Sequence, residues 1–516
     1  MIHDNHRLSS APAATDRPFT GEGYLRSLQD DRCVYLNGER VEDVTEHPAF
    51  RQAARSVAVL YDALHDPAQQ SVLTCPTDTG NGGFTHRSFL HCADAGQLIA
   101  QQKAIAAWSR LNYGWMGRTP DYKASFMNTL GINASYYGPF ADNARDWYRC
   151  AQEQALFLSH AIANPPVDRA HPEQASDVYI HVDEEVDGGL IISGAKVVAT
   201  SAALTQYAFV SHHAGITGIN SKSVMFLVPM NTPGVKVICR SSYEWQSAST
   251  TTPFDAPLSS RFDENDAILV FDRVFVPWSA VLHYGHQGLS EHFATDSGIL
   301  QGTCFQACIR FSVKLDFFVG LLTKVLHATS GDAFRGNQVL LGEVIALRHM
   351  FWSLANTMAS EPDRWLDGAV LPNLHAALAY RAMSPDAYGR VKEIINKIVA
   401  SALIYLPSSA KDFANPEIDA YLARYVRGSN GTGHRERIKL LKLLWDAVGT
   451  EFAGRHELYE RNYAGNHEEI KLHLQLMAKQ DGSLSVMTQM VERCLADYDE
   501  KGWINPVWRN SNEPVR

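Results

Sequence analysis

Apolar positions along the chain change their spacing twice. From about Pro18 to Cys150 they recur every three or four residues. In "HPAFRQAARSVAVLYDALHD", Ala54, Val57, Leu60 and Leu64 share one helical face, and "AGQLIAQQKAIAAWSRLNYG" repeats the pattern. From about 151 to 285 the period falls to two. In "DVYIHVDEE", Val178, Ile180 and Val182 alternate with Tyr179, His181 and Asp183, which predicts a half-buried strand. "GLIISGAKVVAT", "YAFVSHH", "SVMFLVPM", "VKVICR" and "AILVFDRVFVP" follow, short and rich in β-branched residues, with Gly, Pro, Asn or Asp between most of them. No helix-length pattern separates them, so an antiparallel sandwich or barrel is expected rather than a parallel α/β sheet. Beyond 286 the helical period returns in "CFQACIRFSVKLDFFVGLLTKVLH", "LLGEVIALRHMFWSLANTMAS" and "YGRVKEIINKIVASALIYL". In "RERIKLLKLLWDAV", Ile438, Leu441, Trp445 and Val448 form one stripe. Long helices with short breaks predict a bundle, and faces apolar on more than one side predict subunit contacts.

The expected organisation is therefore α+β. Residues 1–150 form an N-terminal helical domain, 151–285 a central antiparallel β-barrel domain, and 286–516 a C-terminal helical bundle with a tail. That order is the layout of the acyl-CoA dehydrogenase fold, in which a flavin lies between the β domain and the bundle.

The 516 residues suit two or three domains. A net charge of −10 without a basic run argues against nucleic-acid binding. No run reaches about 18 uninterrupted apolar residues, so no membrane span is expected. The opening "MIHDNHRLSSAPAATDRPFTG" has no apolar core, which points to the cytoplasm. Eight cysteines are scattered without a CxxC; they read as small buried apolar residues, and no metal site is expected.

Several stretches carry candidate chemistry. "RGSNGTGHRER" spaces Gly428 and Gly433 like a phosphate loop, but His434 and Arg435 replace the required Lys and Ser/Thr and no strand precedes it. A turn between two helices is expected. GxGxxG, HExxH and GxSxG do not occur. His212 and His213 are adjacent at a strand rim and point opposite ways, so joint metal ligation is not expected. In "LFLSHAIANPPVDR", His160 follows an apolar run and precedes Asn164-Pro165-Pro166, whose prolines would stop a helix. His160 is either a satisfied core residue or a polar group aimed into a cleft. In "NYGWMGRTPDYKASF", Gly117 would allow a left-handed turn, and Pro120 prevents a helix from resuming before it. Arg118 and Tyr122 then share a tight connection, with Arg118 either capping a helix against Asp121 or serving a site.

"YGWMGRTPDYKASF" resembles the signature of the 4-hydroxyphenylacetate 3-monooxygenase oxygenase components, the large subunits of two-component flavin-dependent phenol hydroxylases. The likeness continues through "HAIANPPVDR", "ISGAKVVAT", "PLSSRFDENDAILVFD", "LIYLPSSAKD", "YLARYVRGSNG" and "EFAGRHELYERNYAG", over nearly the whole chain. The resemblance implies a homotetramer that holds reduced FAD supplied by a separate NAD(P)H:flavin reductase. Oxygen then adds to give a C4a-hydroperoxyflavin, which hydroxylates a para-substituted phenol at the ortho carbon. It assigns Arg118, Tyr122 and His160 to catalysis. Thr119, Pro120, Asp121, His212 and His213 join them in substrate binding. His160, Ala161, Ile162, Pro166, Val167, Asp168, Arg169, Thr200, Ala453, Gly454, Arg455 and His456 match flavin-contacting segments. 4-Hydroxyphenylacetate is the first expected substrate. Nitrophenol, p-coumarate, tyrosol and a phenolic intermediate of natural-product synthesis remain open, because the loop "SHHAGITGINSKS" falls where the family varies. A flavin-dependent acyl-CoA dehydrogenase or dehydratase, or a non-catalytic scaffold, would use the same fold.

Overall fold

The structure is a computed structural model that describes residues 15, 17–168, 170–175, 177–211, 223–285 and 293–508. Arg169, His212 and His213 lie outside the described residues.

Strands β1 (Cys33–Leu36) and β2 (Glu39–Val41) lead into helices α1 (Arg51–Ala63), α2 (Ala95–Leu111), α3 (Pro120–Met127) and α4 (Ala141–Gln154). The central strands are β3 (Leu158–Ala161), β4 (His181–Val186), β5 (Gly189–Lys196), β6 (Tyr207–Val210), β7 (Ser223–Pro229), β8 (Val235–Cys239), β9 (Ala267–Pro277) and β10 (Val281–Gly285). They form a six-stranded sheet, ordered β2-β1-β8-β9-β5-β4, and a four-stranded sheet, ordered β10-β7-β6-β3. The sheets meet through buried apolar residues, with Phe226 of β7 edge-on to Phe271 of β9 at 5.8 Å between centroids.

Most pairings are antiparallel, as the period-two zone predicts. Two are parallel, β1 with β8 and β3 with β6. Both involve a strand that arrives from the helical N-terminal section rather than through a hairpin, so a long crossover replaces the tight turn that antiparallel neighbours use. The strand expected in "DVYIHVDEE" also starts later than its sequence pattern suggests. Val178 lies in a turn, its N–H donating to the Ala175 carbonyl at 3.0 Å, and β4 begins at His181. Tyr179 and Ile180 are both buried, which breaks the expected alternation.

Helices α5 (Ile299–Ala328), α6 (Arg335–Ser360), α7 (Leu374–Val399), α8 (His434–Val448) and α9 (Glu451–Asn462) form the bundle. Its aromatic core includes Phe311 against Phe351 at 5.0 Å, and Phe351 against Tyr380 at 5.9 Å. Gly428 to Gly433 form the expected connection between two helices, with Gly433 at the N-cap of α8. On α8, Ile438, Leu441 and Val448 are buried as expected, but Trp445 is 38% exposed. Leu444 takes the core position, while the Trp445 ring lies over Gly449. Cys92, Cys150, Cys304 and Cys308 are buried, Cys33, Cys75 and Cys239 half-buried, and Cys494 exposed. Among the described residues no helix is long and apolar enough to cross a membrane.

One ionic cluster crosses the bundle. Glu460 on α9 accepts hydrogen bonds from both terminal nitrogens of Arg310 on α5, one of them at 2.7 Å, and from Lys314 Nζ at 2.7 Å. All three side chains are at most 1% exposed. Burial alone would raise the Glu460 pKa, but the two cations hold it down to about 2. Glu460→Ala would strand two buried cations, so we expect a loss of about 3–5 kcal/mol. The readout is a thermal midpoint several degrees lower; an unchanged midpoint would show the cluster to be inert.

Candidate functional site

The segment from Asn112 to Lys123 is shaped by two close approaches. Asn112 caps α2, and Tyr113 (φ 56°) and Gly114 (φ 74°) make the left-handed turn. A Cβ on Gly114 would fall 2.7 Å from the Lys314 amide nitrogen, so the turn sits directly on α5. Gly117 is not left-handed. Its lack of a side chain serves packing instead, because a Cβ there would lie 2.2 Å from the Tyr459 hydroxyl.

Thr119 then caps α3, with Pro120 in the first turn where a missing N–H costs nothing. The motif is thus the start of a helix rather than only a connection. Arg118 does not pair with Asp121. Its amide donates to Glu264 Oε1 at 2.6 Å, and its guanidinium lies 3.9 Å from the Tyr122 ring centroid. The rings of Tyr459 and Tyr463 flank it at 5.3 and 5.2 Å, a three-sided aromatic seat for a cation. Arg118 Nη1 is buried and has no hydrogen-bond partner among the described residues. Asp121 instead accepts from Thr119 Oγ1 at 2.5 Å and from Gln306 Nε2 at 3.4 Å.

His160 stands on a strand, not at the end of a helix. Helix α4 stops at Gln154, Ala155 takes a left-handed φ of 52°, and the chain straightens into β3. The prolines follow that strand. β3 places the imidazole 5.9 Å from the Tyr122 ring, measured between centroids. The segment after His160 is anchored by Lys196, whose fully buried Nζ donates to the Ile162 carbonyl at 3.0 Å and Asn164 Oδ1 at 2.7 Å. Burial pushes the Lys196 amine down to about 7.

Two cavities meet at His160. The smaller, about 220 Å³, has Tyr122, Phe293, Thr303, Cys304 and Arg381 on its wall. Its size lies between the ~150 Å³ that admits a benzene ring and ordinary ligand pockets of roughly 300–1,000 Å³. The larger, about 590 Å³, has Arg118, Val198, Thr200, Asp266, Arg455 and Tyr459. His160, Ile162, Tyr463 and Gly465 line both. In the larger cavity, Arg455 forms a two-pronged pair with Asp266, both contacts at 2.8 Å, and reaches Glu264 at 3.3 Å. Burial works to raise the Asp266 pKa, but Arg455 and Arg240 hold it well below the usual range. Thr200 Oγ1 donates to the same carboxylate at 2.7 Å.

The structure brings Arg118, Tyr122, His160, Ile162, Thr200 and Arg455 to the cavity walls. Thr119, Pro120 and Asp121 are buried behind Tyr122, and Ala161 is buried within β3. Pro166, Val167 and Asp168 follow β3 on an exposed stretch and line neither cavity. Nor do Ala453, Gly454 and His456. Helical spacing explains the last group. Residues 455, 459 and 463 face the cavities, while Phe452, Ala453, His456 and Glu460 face the core, His456 lying 4.3 Å from the Phe452 ring. The sequence alone does not single out Tyr459, Tyr463, Asp266 and Arg381, although the four-residue steps in "RHELYERNY" carry the first two.

The larger cavity suits a flavin. Its cations and the unsatisfied Arg118 nitrogen match an electron-rich ring with carbonyl acceptors. Family models for the N- and C-terminal parts of 4-hydroxyphenylacetate 3-hydroxylase match residues 20–283 and 290–492. The chain belongs to the 4-hydroxyphenylacetate 3-hydroxylase family. A Pseudomonas aeruginosa relative named 4-hydroxyphenylacetate 3-monooxygenase oxygenase component is 54% identical, over 97% of each chain. A Rhodococcus relative named 4-nitrophenol 2-monooxygenase, oxygenase component, is 53% identical over 95% of this chain and 94% of its own. A crystal structure of the oxygenase component of 4-hydroxyphenylacetate 3-monooxygenase, described as complexed with FAD and 4-hydroxyphenylacetate, superposes with a TM-score of 0.86. It is 30% identical and covers 92% of this chain and 99% of its own. The fold of this hydroxylase is the acyl-CoA dehydrogenase-like one expected from sequence.

Burial disfavours the ionised form of Asp121 and pushes its pKa up to about 6 from 3.8. The folded chain therefore holds this proton more tightly than the unfolded chain. Wild type loses stability as pH rises from about 4 to 6, and the loss is complete above that window. Asp121→Asn does not titrate. Relative to wild type its unfolding free energy, followed through the thermal midpoint, should climb across that window by a few kcal/mol, at about 1.4 kcal/mol per pH unit, and then level off. A difference that is flat with pH would remove Asp121 as a buried acid.

Proposed function

We propose that this hydroxylase is the oxygenase component of a two-component monooxygenase. It converts a para-substituted phenol, foremost 4-hydroxyphenylacetate, into the ortho-hydroxylated catechol, using FADH2 and O2. One observation carries the reading. A ring-sized cavity with Tyr122 and His160 on its wall shares four residues with a larger, cation-lined cavity. The names of the relatives and the FAD and 4-hydroxyphenylacetate in the related crystal structure support it. Reduced FAD, when bound, supplies the two electrons that split O2, one oxygen going to the ring and the other to water.

The chain's own residues do the rest. Arg118, Thr200 and Arg455 would hold the flavin side. The Tyr122 hydroxyl and the His160 imidazole hydrogen-bond the phenol oxygen and favour its ionisation, which makes the ortho carbon nucleophilic. Arg118, stacked on Tyr122, adds positive potential behind that oxygen. The apolar walls of the smaller cavity exclude water from the reacting ring. Asp266 is the one carboxylate among the described residues lining either cavity, and Arg455 and Arg240 clamp it. So held, it is a poor general base, which disfavours a dehydrogenase reading.

"Oxygenase component" in the relatives' names supports a separate flavin reductase as partner. A homotetramer is supported by solvent-facing apolar side chains near the C-terminus, including Leu472, Val486, Met487 and Met490. Eight free thiols suit the reducing cytoplasm.

The protein with FADH2 and ¹⁸O2 should give 3,4-dihydroxyphenylacetate carrying one heavy oxygen. 4-Nitrophenol run in parallel tests the substrate assignment. Absence of any labelled catechol sinks the proposal. Arg118→Ala should lower hydroxylation by about 10²–10³-fold while FADH2 oxidation continues with release of peroxide. Loss of FADH2 binding itself would show that Arg118 serves the flavin alone and not the phenol.

A further inference from the structure

Arg381 is the permanent charge on an otherwise neutral wall. The other described residues lining the smaller cavity are aromatic, aliphatic, small or uncharged polar groups, with His160 the one further titratable base. The guanidinium is aimed by α7. Tyr380, one residue earlier, hydrogen-bonds the Tyr463 hydroxyl. Arg381 Nε donates to the Ala464 carbonyl at 2.7 Å, and a Cβ on Gly465 would sit 3.1 Å from Nη2. Gly465 has a φ of 107°, a conformation that side chains rarely adopt, so the guanidinium lies against bare backbone in a fixed direction. One of its five N–H donors is used there.

What Arg381 lacks among the described residues is an anion. Arg310, Arg348, Arg390 and Arg455 each meet a carboxylate at short range. Among the described residues no carboxylate lies within ion-pair distance of Arg381. A half-buried guanidinium on an apolar cavity is unfavourable unless the ligand brings the counter-charge. The planar fork matches a carboxylate with two parallel hydrogen bonds.

Resting on the phenol-hydroxylase reading, we infer that Arg381 is the specificity-determining residue that selects phenols with a carboxylate on a short para side chain. The phenol oxygen takes Tyr122 and His160, and the carboxylate takes the free nitrogens of Arg381. A neutral substituent of the same length leaves that guanidinium unpaired.

The experiment compares kcat/KM for 4-hydroxyphenylacetate with that for tyrosol, its alcohol analogue, in the full-length protein with FADH2 and O2. Wild type should favour the acid by at least about tenfold, the scale of one charged hydrogen-bond pair. R381Q should lower the acid-to-alcohol ratio by about that factor, chiefly through KM for the acid, and R381K should restore part of it. Wild type turning over both phenols without preference overturns the inference alone. So does an R381Q variant with an unchanged ratio, which would leave Arg381 only its structural bond to Ala464. If lysine does no better than glutamine, the charge is not the cause and the inference falls. Wild type hydroxylating neither phenol overturns the proposed function, and this inference with it.

Discussion

Two cations of one helix converge on one carboxylate of another, out of contact with water, and the geometry of both cavities follows from that contact. Glu460 can meet Arg310 and Lys314 together in one register of α9 against α5. With Glu460 turned to the core, helical spacing sets Arg455, Tyr459 and Tyr463 on the adjoining row, along the cavity walls. Arg310 also donates to the Gly114 carbonyl at 3.3 Å, so the turn that leads to Arg118 and Tyr122 is measured from the same helix. A buried ionic cluster adds little net stability, because desolvation offsets most of the attraction. Its effect here is on register.

The charges around the larger cavity are compensated from behind. Glu264 takes the amide of Arg118 and one arm of Arg455, and Asp266 takes the rest of Arg455 together with Arg240. Asp266 stays ionised, and the guanidiniums are held in place rather than left to move. Lys196 does similar work with neutral partners, fixing Ile162 and Asn164 where the chain leaves β3. Arg455, Asp266 and Lys196 are thus each held by partners set back from the cavities.

Local pattern made much of this readable from sequence. The stripe Ala54, Val57, Leu60 and Leu64 is fully buried, as its spacing predicts. The motif around Arg118 and the residue His160 do meet, although 42 positions of chain order (118 to 160) gave no hint of their spacing. What sequence could not supply was contact between distant segments. Gly117 looked like a residue chosen for its own backbone, whereas its role is set by Tyr459, far along the chain. His160 looked helical because the apolar run before it fits either period, and a strand pairing with β6 decided the matter. In sequence Ala453 to His456 form one contiguous segment, but a helix turns three of those four residues away from the cavities.

The wall common to both cavities has a thermodynamic consequence. His160, Ile162, Tyr463 and Gly465 present one side to each ligand, so a ligand that changes their arrangement on one side changes the binding free energy on the other. Such linkage is mutual. Whatever factor the first ligand imposes on the affinity of the second, the second imposes on the first, whichever arrives first.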